Sequence, residues 1–148
     1  MILLPEKREI MNILVIDGQG GQLGCSLIKT IYDKLPTADI TAVGTNAGAT
    51  AAMIKAGAKK AATGENPVVV ASKKANVIIG PVGIVIADSM LGEITPVMSQ
   101  AVGSSEAVKI LIPMSKCENI VAGVPQVPVS VLIEDAVNKL IGIANNAG

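Results

Sequence analysis

The chain has 148 residues, with twelve acidic side chains, twelve basic side chains and no histidine. This length fits one domain that can bury a core without a disulfide or structural metal, and the missing histidine excludes histidine-based triads, histidine general bases and most zinc sites. Charged residues make up only 16% of the chain, against about 25% in average soluble domains. We therefore expect an apolar patch that pairs with a second copy in a homodimer.

Composition also limits the partners. The basic residues form no stripe and the chain has no Trp or Phe to stack on bases, so we expect no nucleic-acid partner. The most apolar stretch, residues 77–87, is well short of the ~20 residues that span a bilayer. Pro5 and the charges after it interrupt the first apolar run too early for a secretory signal. We therefore expect a cytoplasmic protein without a membrane partner. Residues 1–10 are predicted to be an extension or arm, and residues 11–148 to form the domain.

The domain opens with a continuous apolar run, residues 12–17, which is typical of a strand buried in a parallel sheet. A helix with one apolar face is predicted over residues 21–35. A second strand over residues 39–44 leads into an Ala-rich helix capped by Thr45 or Asn46.

The same unit then repeats. Residues 59–63 are predicted as a short third strand, followed by a helix with Asn66 as its N-cap, Pro67 in its first position and its end near Ala75. The fourth strand is predicted over residues 76–80.

The last part of the chain continues this alternation. Thr95-Pro96 begins a helix to about Val102, residues 109–113 form the fifth strand, and residues 119–124 are a candidate sixth. The chain ends in an amphipathic helix whose apolar face carries Leu132, Ile133, Ala136, Val137, Leu140 and Ile141.

Strands that alternate with helices in this way predict a single α/β domain. Its fold is a Rossmann-like, doubly wound parallel sheet in three α/β/α layers, with strand order 3-2-1-4-5. Ligands of such sheets bind beyond the carboxyl ends of the strands. Four Gly-containing segments fall at that edge, at residues 17–24, 44–50, 63–66 and 80–84.

The first of these segments, VIDGQGGQLG over residues 15–24, carries the pattern G-x-x-G-x-x-G. It precedes a helix whose free N–H groups and dipole favour an anion. We expect a nucleotide or another phosphorylated small molecule to bind here, with a tight turn that binds nothing as the alternative. The candidate binding residues are Gly18, Gln19, Gly20, Gly21, Gln22 and Gly24 in the loop, and Thr45 and Asn46 beside the ribose or base.

This loop resembles the nucleotide loop of short-chain dehydrogenase/reductase proteins, and GGQLG is similar to that of their extended, sugar-nucleotide branch. The resemblance implies NAD(P) as a cofactor. However, NAD sites place an acid near the end of the second strand, where this chain has the neutral residues Gly44, Thr45 and Asn46.

Two further departures separate the chain from that family. Its only arginine is Arg8, so a clamp for a 2′-phosphate would depend on Lys59 or Lys60. The Tyr-x-x-x-Lys pair of the reductases is missing, because Pro36 stands four residues after Tyr32. The resemblance therefore carries no catalytic machinery to this chain.

Asp17 stands directly before the loop, where a bare carboxylate would repel a pyrophosphate. It is a candidate Mg²⁺ ligand, an acceptor for a ligand hydroxyl, a general base, or a carboxylate that caps the loop through backbone N–H bonds. Asp88 and Glu93 follow the fourth strand, which neighbours the first. If the protein is an enzyme, Asp17 with Asp88 or Glu93 is the candidate acid/base or metal set, and capping of the next helix is the simpler role of the latter two.

The two cysteines have no metal-type spacing. Cys25 lies in the first turn of the first helix, where a dipole can lower a thiol pKa, but an inert buried thiol is the preferred interpretation. Cys117 stands in a predicted loop.

Five motifs in order, VIDGQGGQLG, AVGTN, TGEN, GPVGI and GEITP, resemble a small bacterial family catalogued as a domain of unknown function, from about Met11 into the final helix. The resemblance implies a Rossmann-like domain and assigns no activity. A non-catalytic ligand-sensing or partner-binding subunit is the alternative to an enzyme.

Overall fold

A computed structural model describes residues 11–114 and 119–146. Within these ranges five strands alternate with five α-helices, and a short 3₁₀ helix, Val82–Val85, follows the fourth strand. The predicted extension over residues 1–10 and Cys117 lie outside the described residues. The elements are β1 (Asn12–Asp17), α1 (Gln22–Lys34), β2 (Asp39–Gly44), α2 (Ala47–Lys55), β3 (Lys60–Thr63), α3 (Glu65–Lys74), β4 (Val77–Pro81), α4 (Pro96–Gly103), β5 (Val108–Ile112) and α5 (Val129–Asn146).

The five strands form one parallel sheet in the order β3-β2-β1-β4-β5, so the predicted fold class and strand order are confirmed. β1 is central, and its Ile13 lies between Ile40 of β2 and Val77 of β4. The strand order reverses between β1 and β4. In a sheet of this kind, that reversal opens a crevice at the carboxyl ends of the two strands.

The sheet is covered on both faces because successive residues of a strand point to opposite sides. Val15 lies in a fully buried cluster with side chains of α1, α2 and α5, such as Leu27 and Leu140. Ile16, the next residue, belongs to a second cluster with side chains of α3 and α4, such as Met98. The core therefore has two halves, one on each face, and the predicted three-layer arrangement is confirmed.

Two of the predicted helix starts are confirmed by capping bonds. The side chain of Asn46 accepts a hydrogen bond from the N–H of Ala49 (2.8 Å) and so caps α2. The side chain of Thr95 accepts one from the N–H of Met98 (3.2 Å) and caps α4. Of the two residues predicted as possible N-caps of α2, Thr45 and Asn46, it is therefore Asn46 that caps the helix.

The predicted start of α3 was wrong by two residues. Its N-cap is Gly64, with φ of 105°, and no side chain caps it. Asn66 and Pro67 lie inside the first turn instead. Glycine reaches this positive φ without a steric penalty, and a proline in the first turn sacrifices no helical hydrogen bond, so the earlier start is compatible with both residues.

The candidate sixth strand over residues 119–124 was also wrong. Ile120 is 96% exposed, and Gly123 takes a φ of 82° in a turn closed by the N–H of Val124 on the carbonyl of Val121. An apolar run forms a strand only where a neighbouring strand pairs with it, and the described sheet ends at β5. The final helix is confirmed, with Ile133, Ala136, Val137 and Leu140 buried.

No helix in the described ranges has both the length and the apolar character needed to cross a bilayer.

Candidate functional site

The crevice between β1 and β4 is covered by the protein's own chain. The loop between β1 and α1, residues 18–21, lies at the carboxyl end of β1, and we name it the glycine loop. Residues 86–94, between the 3₁₀ helix and α4, fold over this loop, and we name them the cover segment. A Cβ atom added to Gly18 would lie 2.8 Å from the sulfur of Met90 and 3.4 Å from Oε1 of Glu93. The cover segment therefore occupies the place where ligands bind in this class of sheet.

Asp17, the last residue of β1, holds the glycine loop to the strand. Its side chain is only 6% exposed. Oδ1 accepts a hydrogen bond from the N–H of Gly18 (2.8 Å), and Oδ2 accepts one from the N–H of Gly24 (2.7 Å). Gly21 is the N-cap of α1 and offers no side chain, so Asp17 supplies an anion to the helix start from the end of the strand.

Burial raises the pKa of Asp17, because desolvation disfavours a charged carboxylate. The N–H groups of Gly24 and Gly18 act in the opposite direction by stabilising the charge, and the nearby carboxylate of Glu93 raises the pKa further. Both carboxylate oxygens of Asp17 face backbone donors of the loop. This geometry fits the loop-capping role among the alternatives that the sequence leaves open.

Glu93 joins three segments of the chain through a single oxygen. Its Oε1 accepts hydrogen bonds from the N–H of Gln19 (3.1 Å), the hydroxyl of Thr45 (2.8 Å) and Nδ2 of Asn46 (2.6 Å). Desolvation alone would raise the pKa of Glu93, but the hydrogen bonds together lower it. The cover segment is thus tied to the loops after both β1 and β2 by one carboxylate.

Asn46 is oriented by bonds at both ends of its amide. Oδ1 accepts from the N–H of Ala49 (2.8 Å), which leaves Nδ2 to donate to the carbonyl of Gln19 (2.9 Å) and to Glu93. The backbone N–H of Thr45 donates to the carbonyl of Asp17 (3.0 Å) and fixes the same turn. The amide of Asn46 and the backbone at Thr45 are therefore held by contacts that do not depend on Glu93.

Packing of the protein itself explains Gly18 and Gly21 of the glycine loop and Gly24 in the first turn of α1, but not Gly20. Gly18 lies under the cover segment, Gly21 has a φ of 74° and backs onto the backbone of Ala49, and a Cβ at Gly24 would lie 2.6 Å from the sulfur of Met53. Gly20 differs, because nothing lies within 4 Å of the position its Cβ would take. Gly20 and its neighbours Gln19 and Gln22 are exposed, so this part of the loop is open to an approaching molecule.

The structure brings two of the three candidate acids together and leaves the third apart. Asp17 and Glu93 both bind the glycine loop, whereas Asp88 is exposed. Asp88 lies in a strained stretch in which Asp88, Met90 and Leu91 have φ values of 63°, 56° and 56°. The sequence also offered capping of the next helix as a simpler role for Asp88 and Glu93. Neither has that role, because the N-cap of α4 is Thr95.

Neither a metal cluster nor an activated thiol is found in the described ranges. No three acidic or cysteine side chains in the described part of the chain converge in a way that could hold a metal ion. Cys25 is half-buried, and burial raises the pKa of its thiol, with the charge of Lys29 acting in the opposite direction. The raised pKa fits an inert thiol, but Cys25 is half-buried and not buried as the sequence predicted.

Sequence reasoning missed the cover segment. It identified Glu93 as a possible acid but not as the acceptor for Gln19, Thr45 and Asn46. The available signal was Gly92, which precedes Glu93 and takes a φ of 87°, as expected of a glycine in a tight turn.

Five parallel strands in this order, with a Gly-rich loop where the order reverses, define a Rossmann-like α/β domain. The chain belongs to the family described as Domain of unknown function (DUF3842), whose sequence profile matches residues 12–145. No match was found among curated proteins or among solved structures.

Proposed function

We propose that this protein binds a nucleotide or another phosphorylated small molecule at the carboxyl edge of β1 and β2. The observation that carries the proposal is the convergence of three hydrogen-bond donors on one point beside the glycine loop, namely the N–H of Gln19, the hydroxyl of Thr45 and Nδ2 of Asn46. Three convergent donors with fixed positions are suited to an oxygen that carries negative charge.

The chemistry of these groups narrows the way a nucleotide would bind. The residues after β2 present donors to the crevice, whereas ribose recognition in NAD sites uses an acid at the end of this strand. A phosphate or carboxylate oxygen therefore suits Thr45 and Asn46 better than a ribose does. Gly20 and Gln22 extend the site along the exposed loop, while Gly18, Gly21 and Gly24 shape it.

The proposal is tested by the melting temperature of the protein in the presence of NAD(H), NADP(H), ATP, ADP, FMN, coenzyme A and sugar nucleotides, with and without Mg²⁺. A ligand at 100 times its Kd adds about 2.7 kcal/mol to the free energy of unfolding. We expect at least one ligand to raise the melting temperature. If none does, the proposed function is wrong.

Variants then test whether a ligand uses the proposed donors. Thr45→Val keeps the shape of the side chain but removes its hydroxyl, so it should weaken binding of the ligand that the screen identifies. Thr30→Val is the matched control, because the hydroxyl of Thr30 donates to the carbonyl of Ser26 within α1, away from the glycine loop. Equal loss of binding in both variants would place the ligand elsewhere.

A second candidate function is that of a non-catalytic sensor whose association with another copy depends on the ligand. The observation that favours it is Leu91, which is 99% exposed and lies two residues before Glu93 in the cover segment. A ligand that alters this segment would alter an exposed apolar side chain at the same time. Sedimentation velocity with and without the ligand tests this candidate, and an unchanged oligomeric state would exclude it.

A further inference from the structure

We propose that Gln19, Thr45 and Asn46 form an oxyanion site that Glu93 fills in the ligand-free protein, and that a singly charged oxyanion of the ligand displaces Glu93. This inference rests on the proposed function. It goes further by specifying that the bound group carries a single negative charge and that Glu93 competes with the ligand for the same donors. Its basis is that one oxygen of Glu93 accepts all three hydrogen bonds, at 2.6 to 3.1 Å.

Two of the three donor residues have bonds that do not involve Glu93. Asn46 is held by the N–H of Ala49 and by the carbonyl of Gln19, and the turn at Thr45 is held by its N–H bond to Asp17. Loss of the Glu93 carboxylate would leave three aligned donors without an acceptor. Such donors are expected to take an oxyanion from solution, because unpaired polar groups in a partly buried site are costly.

The charge of the ligand follows from the buried carboxylate of Asp17, which holds the same loop through Gly18 and is only 6% exposed. Exchange of Glu93 for another single negative charge leaves the electrostatic balance at the loop unchanged. A doubly charged group would add repulsion from Asp17. Carboxylates and phosphodiesters, including each phosphate of a dinucleotide pyrophosphate, carry one charge and fit, whereas a terminal phosphate dianion fits less well.

The cover segment has features that allow this displacement. Asp88, Met90 and Leu91 all adopt positive φ, so the closed turn contains three strained residues. Leu91 at its tip is 99% exposed and loses no packing when the segment moves. Met90 covers Gly18 and would have to leave with Glu93 for the ligand to reach the loop.

The test is chemical rescue of Glu93→Ala. This substitution removes the atoms of an acetate ion, so acetate should occupy the vacated donors. We expect Glu93→Ala to melt below the wild type and to gain stability saturably from acetate and from dimethyl phosphate, both singly charged. The doubly charged sulfate should be at least about tenfold weaker, and the wild type should show no saturable gain with any of them.

Two controls make the rescue specific. Asp88→Ala removes an exposed acid from the same segment and should show no saturable gain, and Thr45→Val in the Glu93→Ala background should lose the rescue. Glu93→Gln serves if Glu93→Ala does not fold. Its amide keeps an acceptor but no charge, and we expect faster amide hydrogen exchange over residues 86–94 and about tenfold tighter binding of the nucleotide that the screen identifies.

The outcomes separate this inference from the proposed function. If acetate and dimethyl phosphate stabilise Glu93→Ala no more than Asp88→Ala, the oxyanion site is wrong. The oxyanion site is also wrong if a nucleotide binds the wild type and Glu93→Gln with equal affinity. In that case the proposed function still stands, because the nucleotide binds. If the small anions rescue Glu93→Ala but no nucleotide shifts either protein, the site stands and the proposed function falls.

Discussion

Asp17 and Glu93 take adjacent amides of the same loop: Asp17 accepts from the N–H of Gly18 at 2.8 Å, and Glu93 accepts from the N–H of Gln19 at 3.1 Å. The amides that a Gly-rich loop would offer to a phosphate are thus shared between two carboxylates of the protein. This arrangement gives a physical reason for the acid that precedes the glycines in the sequence, since it serves as a built-in anion at the start of α1.

The first prediction concerns Asp17→Asn. The amide has one acceptor oxygen, so one of the two N–H groups, Gly18 or Gly24, would face an NH₂ group instead of a carboxylate oxygen. We expect the free energy of unfolding to fall by about 1–3 kcal/mol, the cost of a buried donor without a partner. Urea denaturation measures the change, and Asp33→Asn on the exposed side of α1 is the control. A loss no greater than in the control would show that Asp17 does not hold the loop.

The second prediction concerns pH. The pKa of Glu93 is lowered on folding, so its contribution to stability is present above the ordinary carboxyl pKa and is lost as the pH falls through the lowered value. The stability advantage of the wild type over Glu93→Gln should therefore shrink as the pH falls below the ordinary carboxyl pKa. An advantage that grows on acidification would contradict the hydrogen bonds described for Glu93.

The pKa of Asp17 should also change in Glu93→Gln. Its pKa is raised, first by burial and also by the charge of Glu93, so removal of that charge should lower it. Titration of the Asp17 carboxyl carbon by NMR in the wild type and in Glu93→Gln measures the change. The contribution of Asp17 to pH dependence has the opposite sign, because a raised pKa makes stability decrease as the pH rises through it.

The third prediction compares Gly24, in the first turn of α1, with Gly20 of the glycine loop. Gly24→Ala would place a methyl group 2.6 Å from the sulfur of the buried Met53 and 3.0 Å from Cβ of Asp17, so it should cost about 1–3 kcal/mol. Gly20→Ala meets nothing within 4 Å and should change stability by less than about 0.5 kcal/mol. Thermal unfolding measures both. If the loop binds a phosphorylated ligand, Gly20→Ala should weaken that binding although it folds normally.

The fourth prediction concerns strain at Leu91, which has a φ of 56° and is 99% exposed. In ordinary strands and helices glycine is less stable than alanine by about 0.5–1 kcal/mol. In the left-handed region the order reverses, because only a residue with Cβ incurs the penalty of about 1–2 kcal/mol. Leu91→Gly should therefore be more stable than Leu91→Ala. The reverse order in chemical denaturation would mean that the turn is not strained at this residue.

The fifth prediction separates the two ends of the Asn46 amide. Asn46→Asp keeps an acceptor for the N–H of Ala49 but replaces the donor to Gln19 and Glu93 by a second negative charge. Asn46→Ala removes both ends, including a cap worth about 1 kcal/mol. By circular dichroism and hydrogen exchange, we expect Asn46→Asp to retain α2 and loosen the cover segment. A cover segment as protected as in the wild type would show that the donor is dispensable.

The sequence allowed much of the fold to be predicted because its strongest patterns are local. The apolar run over residues 12–17 and the helical spacing of α1 and α5 each identify an element within one segment, and the topology follows from their alternation. The two errors have local causes as well. Gly64 starts α3 earlier than Asn66 does, and residues 119–124 are apolar without a neighbouring strand to pair with.

The site was harder to predict because it is assembled from distant parts of the chain. Gln19 and Glu93 are separated by 74 positions, and their contact depends on a turn in which three residues other than glycine adopt positive φ. No residue-type preference indicates positive φ at Met90 and Leu91, since leucine and methionine rarely adopt that conformation. The glycines drew attention to a phosphate, whereas three of them are explained by Met90, Ala49 and Met53.

The position of Asn46 also has a kinetic consequence. The amide that caps α2 is the amide that donates to the crevice, so a ligand that only replaces Glu93 leaves the N–H of Ala49 bonded, whereas a molecule that reorients Asn46 releases it. Exchange of that one backbone proton with solvent therefore reports whether Asn46 keeps its orientation. A single amide resonance in α2 thus distinguishes these two modes of binding, and it requires no known ligand.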